Sequence, residues 1–308
     1  MIGRDLMKSP KVWIVVLNYN GADDTLQCIE SIYKLDYDNF DVIVLDNHSK
    51  DNSEQVIESF KRTHPEYPFV FKETGKNGGY AAGNNIGIRY AIQYPDTAYV
   101  WILNNDTLVT PNSLRLMINK METDPRIGIC GSKLVYSWDR SRVQAYGGKY
   151  NPVTGISRYV KDRTKLHEID HVIGASTLVS RNFLEVVGLI CEDYFLYTEE
   201  IDWALRAKNK FKVSCSIDSV VYHKEGASIG LDHGKGTGEI SDLGFYYSVR
   251  NRLLLSRKFY PYFYPLVLLR MVYTLLHTFA RGNFRRSRMI FNLMLGRKDA
   301  RFEGVRER

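Results

Sequence analysis

The sequence predicts an α/β fold built on a mostly parallel, doubly wound sheet, on three observations. Strand-length apolar runs alternate with segments of helical spacing through the first 110 residues. Three of those runs stop abruptly at Asn18, at Asp46 and at Asn104-Asn105-Asp106. Because parallel strands point the same way, all three polar clusters fall along one edge of the sheet, where open α/β sheets bind ligands.

In chain order, a leader over 1–10 precedes the run Lys11 to Leu17, which ends at Asn18-Tyr19-Asn20-Gly21. Helical spacing follows at Leu26, Ile29, Ile32 and Tyr33. Phe40 to Leu45 is the second strand, ending at Asp46-Asn47, and Val56, Ile57 and Phe60 mark the next helix. A short strand at Phe69 to Phe71 enters the glycine-rich loop 75–85, with a helix expected from about Ala82 to Ile92. Ala98 to Leu103 is the strand that ends in the Asn104 to Asp106 cluster, and a helix follows Pro111. The rhythm then loosens. The stretch from Gly131 to Asp170 reads as hairpins and loops, His171 to Ser180 as a strand, and Phe211 to His223 as one or two more. Five glycines between Gly226 and Gly238 mark a boundary loop over 231–241. The resulting division is a catalytic unit over 11–230, with a nucleotide-binding half to about 110 and an acceptor half beyond it, and a basic helical region over 242–308.

Composition excludes several classes. The chain has 308 residues, 44% of them hydrophobic, with no low-complexity tract or repeat. Cys28, Cys130, Cys191 and Cys215 form no CxxC pair, so they read as reduced, buried thiols of a cytosolic protein rather than a disulfide framework or a zinc site. The net charge of +7 belongs to the tail, where Phe245 to Arg308 carries fourteen Lys and Arg against three Asp and Glu.

Asp106, just past a buried strand, is the expected carboxylate for a divalent cation held against a diphosphate, unless it only starts a turn. The turn Thr198-Glu199-Glu200-Ile201-Asp202 packs three carboxylates behind four bulky residues. It reads either as a solvated helix start with an Asp202–Arg206 pair, or as a site where crowding raises a carboxyl pKa and suits it to take a proton. Glu200 is the expected base, with Glu199 and Asp202 as its neighbours. His223 ends a strand and either serves as a hydrogen-bonded structural residue or completes an Mn²⁺ or Mg²⁺ site with Asp106. The loop with Asn77, Gly78 and Asn84 can bring backbone close to a diphosphate, yet it is neither a Walker A sequence nor a GxGxxG fingerprint, which weakens ATPase and dehydrogenase readings.

These segments together resemble family 2 glycosyltransferases, in particular their bacterial rhamnosyltransferase-like branch. The resemblance rests on Val16 to Gly21, Val44 to Asp51, the Asn77 to Gly87 loop, Asn104-Asn105-Asp106, Glu199 to Asp202 and His223, in the family's order, and it covers about Lys11 to Ser228. It implies a GT-A fold, Rossmann-like, with a C-terminal helical appendage, and an inverting transfer from a nucleotide-diphospho-sugar carrying dTDP or UDP. Asp46 would bind the nucleobase, with Asn18, Asn20, Asn77, Gly78, Asn84 and Asn105 around the nucleotide. Asp106 matches the last Asp of the DxD motif, His223 the later metal or diphosphate histidine, and Glu200 the base, with Glu199 as the alternative. Two departures stand out: Asn104 occupies the first acidic position of DxD, and Glu200 stands where the family usually has Asp. Competing readings are a nucleotidyltransferase, disfavoured because no glycine-rich loop bearing Arg and Lys follows Leu17, and a non-catalytic sugar-nucleotide scaffold.

The tail completes the expectation. Phe259 to Ala280 is apolar but interrupted by Pro261, Pro265, Arg270 and His277, which favours a helix pair lying on a membrane over a spanning helix. Arg281, Arg285, Arg286, Arg288, Arg297 and Lys298 would face anionic headgroups, and no nucleic-acid motif is present. The alternative is packing on the catalytic unit or on a second copy in a homodimer. The expected setting is the cytoplasmic face of the cell membrane, the acceptor being a glycan or a lipid-linked sugar.

Overall fold

The computed structural model describes residues 9–224 and 240–303. All but the last two residues of the expected boundary loop over 231–241, and all but the last two of the leader, lie outside the described residues.

Four strands form the parallel half of the sheet: β1 (Lys11–Asn18), β2 (Phe40–Asp46), β3 (Val70–Glu73) and β4 (Thr97–Asn104), in the order β3-β2-β1-β4. Helices α1 (Ala22–Ile32), α2 (Ser53–Thr63) and α3 (Gly79–Ala91) connect them. The strands are apolar on both sides because both faces are covered. Val12, Ile14 and Val16 join Val42, Val44, Trp101 and Leu103 in one core, while Trp13, Val15, Ile43, Leu45, Val100 and Ile102 join the other. Burying each of these aliphatic side chains contributes about 1.5–3 kcal/mol. On the second face α3 lies close to the sheet, since a Cβ on Gly87 would stand 2.5 Å from Val15 and one on Gly83 2.6 Å from Leu17.

The second half is mixed, which the sequence did not signal. The chain continues through β5 (Thr107–Val109), α4 (Ser113–Glu122), β6 (Ile127–Tyr136), β7 (Val143–Ala145) and the hairpin of β8 (Gly147–Asn151) and β9 (Ile156–Val160). It then forms β10 (Ser176–Ser180), α5 (Arg181–Val187), α6 (Glu199–Ala207) and β11 (Lys212–His223). Strand β10 inserts antiparallel between β4 and β6, β11 runs parallel to β6, and β5 closes the edge antiparallel to β11. Two antiparallel steps restore the original direction, so β11 ends at the same edge as β1, β2 and β4. Where hairpins and loops were expected after Gly131, β6 instead continues as a strand to Tyr136 before the β8–β9 hairpin. Strand β10 is shorter than expected because Ile173 to Ala175 leave the ladder to line a cavity.

The tail forms α7 (Asp242–Phe259), α8 (Tyr264–Ala280), α9 (Phe284–Met294) and α10 (Ala300–Glu303). Arg270 does not split α8, which is one continuous helix, and Pro265 sits in its first turn where a missing N–H costs nothing. Val267 and Met271 on one side of α8 pack with Tyr246, Tyr247, Met289 and Ile290, and this cluster also takes in Phe195 of the catalytic unit. The opposite side, including Leu269, Tyr273, Leu276 and Phe279, is exposed. Pro261–Ala280 is long and apolar enough to cross a membrane by length and composition. The four cysteines are free, as expected, but only Cys28 and Cys130 are buried.

Candidate active site

The strand ends meet as the register requires. Asn18 pairs with Asp46 and Leu17 with Asn104, so the three polar termini lie side by side. Asn18 donates from Nδ2 to Asp46 Oδ1 at 2.7 Å and to Ser49 Oγ at 3.2 Å, while its Oδ1 accepts from Thr25 Oγ1 at 2.8 Å and Asn105 Nδ2 at 3.3 Å. Asp46 Oδ2 accepts from Ser49 N at 2.8 Å. Asn20, at φ 52°, ties the next loop down by accepting from Lys50 N at 2.7 Å. Asn47 Nδ2 reaches Asn77 Oδ1 at 3.0 Å and so docks the glycine-rich loop onto β2.

Beyond this network lies a cavity of about 660 Å³. Of the residues expected at the site, Asn77, Asn105, Asp106, Glu199, Glu200 and His223 line it, together with Asn47 and Asn104. Asn18 and Asp46 are buried beside it without lining it, and Asn20 is exposed. Gly78 precedes α3, where a Cβ would meet Ala82 at 2.6 Å, and Asn84 is buried within α3, donating to Tyr80 O at 2.9 Å. Asp202 is also turned away. Its carboxylate is wholly buried between Arg206 Nε at 2.6 Å, Lys258 Nζ at 2.6 Å and Tyr194 Oη at 2.9 Å, so it locks α6 against α7 rather than serving the cavity.

At the metal edge, His223 pairs with Thr107 in the antiparallel β11–β5 ladder, and this register sets its Nε2 at 3.3 Å from Asp106 Oδ1. Its Nδ1 lies 3.0 Å from Oε1 of buried Gln144. An amide oxygen only accepts, so Nδ1 donates to Gln144 and Nε2 is the nitrogen aimed at Asp106 and the cavity, the arrangement that orients a metal-binding imidazole. Burial pushes the Asp106 carboxyl up, but the His223 charge and hydrogen bond, with Lys224 behind them, bring it below the usual carboxylate range. One carboxylate oxygen and one imidazole nitrogen suit Mn²⁺ or Mg²⁺ as two ligands of six; no cluster of three His, Cys, Asp or Glu exists among the described residues. The donor set therefore fits a cation whose other ligands come from a diphosphate and water.

The opposite wall is a strained turn. Phe195, Tyr197 and Thr198 adopt φ of 63°, 67° and 81°, a region costing about 1–3 kcal/mol for side-chain-bearing residues. Asn251 on α7 holds the turn, its buried Nδ2 donating to the carbonyls of Tyr194, Leu196 and Tyr197 at 2.9, 2.8 and 3.0 Å. Tyr80 N donates to Phe195 O at 2.8 Å, and Phe195 stacks on Tyr247 at 4.7 Å. Gly79 is required beneath it, having φ +82° and a would-be Cβ 2.2 Å from Phe195 O. The turn delivers Glu199 and Glu200 at the start of α6. Burial raises the Glu199 carboxyl well above its usual range, the Glu200 charge adding to it, and Glu199 Oε2 has no hydrogen-bond partner. Burial also raises Glu200, to about 7, against the pull of the Glu200 and Thr198 backbone amides. Burial and repulsion thus disfavour two negative charges on the pair near neutral pH, and Glu200 is the carboxyl suited to exchange a proton in that range.

Gln144 and Asn251 are the residues that sequence reasoning missed. A lone amide in a loop-rich stretch and another in a basic helix carry no local signal of what they face.

A parallel half-sheet, a mixed second half and a ligand edge at the strand termini define a GT-A glycosyltransferase fold. Two solved structures are similar to this chain: TarS of S. aureus, with a TM-score of 0.54, 12% identity and coverage of 96% of this chain and 83% of that one, and the mannosyltransferase PcManGT of Pyrobaculum calidifontis in complex with GDP-Man and Mn²⁺, with a TM-score of 0.53, 17% identity and coverage of 93% and 86%. The chain belongs to glycosyltransferase family 2, whose model matches residues 13–188, more than half of it. Among curated proteins it is similar to the low-salt glycan biosynthesis hexosyltransferase Agl10 of Haloferax volcanii, at 23% identity over 64% of this chain and 61% of that protein. It is also similar to the dTDP-rhamnosyl transferase RfbF of Shigella flexneri, at 25% identity over 87% of this chain and 86% of that protein. The poly-beta-1,6-N-acetyl-D-glucosamine synthase of Staphylococcus epidermidis matches at 23% identity, with 43% of its length covered. The chain thus spans about two fifths to three fifths of some of these relatives. The family match ends before Glu199 and His223, so their placement rests on this structure.

Proposed function

We propose that this glycosyltransferase is a metal-dependent, inverting hexosyltransferase. It would move a sugar, rhamnose from a dTDP donor in the first instance, onto a hydroxyl of a glycan or lipid-linked acceptor during cell-surface polysaccharide synthesis. The observation that carries this reading is the sharing of one cavity by two opposed functions: the Asp106–His223 edge, suited to a cation and diphosphate, and Glu200, a carboxyl tuned to about 7. The similarity to RfbF supports the donor, and polysaccharide synthesis is supported by the named activities of the relatives.

In this mechanism Asp106 and His223 would hold the cation, and a bound cation would supply neutralisation of the negative charge on the departing diphosphate. Asn77, Asn105 and the docked glycine-rich loop orient the nucleotide. Glu200 takes the proton of the acceptor hydroxyl as its oxygen attacks the anomeric carbon opposite the leaving group, and the configuration inverts in one step. Glu199, protonated, adds no second negative charge beside the base.

The tail reading is a membrane one. The exposed side of α8 is apolar, and fourteen Lys and Arg against three acidic residues from Phe245 onward match anionic lipid, at the cytoplasmic face where nucleotide sugars would be supplied. Flotation with phosphatidylglycerol vesicles but not with phosphatidylcholine ones is the expected result; flotation with neither removes the reading.

The functional reading is tested by a thermal-shift panel of dTDP-, UDP- and GDP-sugars with Mn²⁺ or Mg²⁺, on the wild type and Asp106→Ala. A metal-dependent rise for one nucleotide class, lost in the variant, is expected. No rise with any donor would overturn the nucleotide-sugar reading of this cavity, and a rise without transfer would favour a sugar-nucleotide scaffold without turnover.

A further inference from the structure

The cavity wall carries a second built polar group. Ser157, on β9, lines the cavity beside Tyr159. Its Oγ stands 2.6 Å from Nε2 of His171, an imidazole only 2% exposed, whose Nδ1 is 2.8 Å from Val172 O. The ring is seated on β8, where a Cβ on Gly148 would come within 2.2 Å of it, and Gly148 N donates to His171 O at 2.9 Å. Hairpin, imidazole and serine are thus fixed as one unit.

The direction of each hydrogen bond follows from what the groups can do. A carbonyl oxygen only accepts, so Nδ1 carries the ring hydrogen. Burial lowers the imidazole to about 4, outweighing the Val172 bond, so the ring is neutral near pH 7 and Nε2 presents a lone pair. Asp170 Oδ1 is 4.0 Å from Nε2, and this carboxylate accepts instead from Tyr150 N at 2.9 and 3.1 Å. Among the described residues, the only hydrogen within reach of Nε2 is that of the Ser157 hydroxyl. What Ser157 turns toward the cavity is therefore oxygen lone pairs alone.

We propose that Ser157, oriented by His171, is an acceptor-only subsite that takes a hydrogen bond from a hydroxyl of the incoming sugar acceptor. The subsite rests on the glycosyltransferase reading. It belongs to the acceptor rather than the nucleotide because the nucleotide end is built from Leu17, Tyr19, Asn47 and Asn77 of the first half of the chain, whereas Ser157 stands with Tyr159 and Ile173 of the second. An acceptor with a hydroxyl there satisfies the lone pairs. One with an ether or carbonyl oxygen meets lone pair against lone pair, and Ser157 cannot rotate to donate without orphaning Nε2.

The test uses the full chain with Mn²⁺ and its donor. Donor turnover by the wild type is measured first, because its absence overturns the transferase reading and this subsite with it. Transfer is then followed to p-nitrophenyl glycosides and their monodeoxy derivatives, for wild type, Ser157→Ala and Ser157→Thr. The expected result is an acceptor KM raised about 10- to 100-fold in Ser157→Ala, with donor KM and kcat little changed. Ser157→Thr, which keeps the hydroxyl, recovers most of it, and one monodeoxy acceptor that is poor for the wild type shows no further loss with Ser157→Ala. Nitrogen-15 NMR should find the His171 hydrogen on Nδ1. An unchanged acceptor KM in Ser157→Ala, a parallel rise in donor KM, or a hydrogen on Nε2 would overturn the subsite and leave the transferase reading standing.

Discussion

The two ends of the cavity are built in opposite ways. At the strand termini, Asn18, Thr25, Asp46, Ser49 and Asn105 satisfy one another, although Asn20 and His48 in the adjoining loops adopt φ of 52° and 60°. At the turn before α6, three residues within four positions are left-handed, and a buried glutamate oxygen lacks a partner. The first end is held together by side chains of the sheet edge and its adjoining loops. The second is strained and is held by a helix some fifty residues further along the chain, through Asn251 at three carbonyls and Lys258 at Asp202. Binding can rest on a platform that folds with the sheet. Raising a carboxyl to the pH at which it works requires crowding and burial that only surrounding structure can enforce.

The largest effect that would sharpen this contrast is at Glu200. Glu200→Gln should lower transfer by about 10²–10⁴-fold while leaving the donor-induced thermal shift intact. Because a carboxyl raised to about 7 must lose its proton to act as a base, wild-type kcat should rise with pH and level off above that value. Glu199→Gln keeps a neutral group beside the base, so it should keep most activity and leave the same rise near about 7. Loss of transfer in Glu199→Gln with retention in Glu200→Gln would exchange the two roles.

A smaller effect is expected at Asn251. Replacing its amide with Leu removes the Nδ2 donor that ties three turn carbonyls to α7, a cost of about 1–3 kcal/mol. Asn251→Leu should reduce kcat about 10- to 100-fold with donor affinity preserved, since the strand-end network does not touch it. A matching loss of donor affinity would break the comparison, showing that the two ends act as one unit.

Much of the first end was legible in the sequence because hydrophobic period and strand-end chemistry are local. The runs ending at Asn18, Asp46 and Asn104 become β1, β2 and β4, and α1 and α2 fall where the spacing put them. Helix α3 begins at Gly79, ahead of the expected Ala82, because the Gly79 conformation demanded by Phe195 O is a tertiary requirement. The mixed half was not legible. Ser176 to Ser180 reads as a strand in either direction, and only its partners decide that it runs antiparallel to β4. Asp202 shared a turn with Glu200 in the sequence, yet three carboxylates on successive faces of one helical turn cannot all point the same way. Lys258 and Arg206 determine which one leaves the site.

The sequence by itself determined the alternation of strands and helices, the polar strand ends, and the residue types able to hold a cation or take a proton. Those follow from burial period and side-chain chemistry, which are properties of a segment. Tertiary structure alone decided that β11 returns parallel to bring His223 beside Asp106, that Gln144 sets its tautomer, that Asn251 holds the Glu200 turn, and that His171 turns Ser157 into an acceptor. Each of these is a direction rather than a composition: which way a strand runs, which nitrogen carries a hydrogen, which lone pair faces the cavity. A direction is fixed only by a partner, and here the partners come from distant parts of the chain.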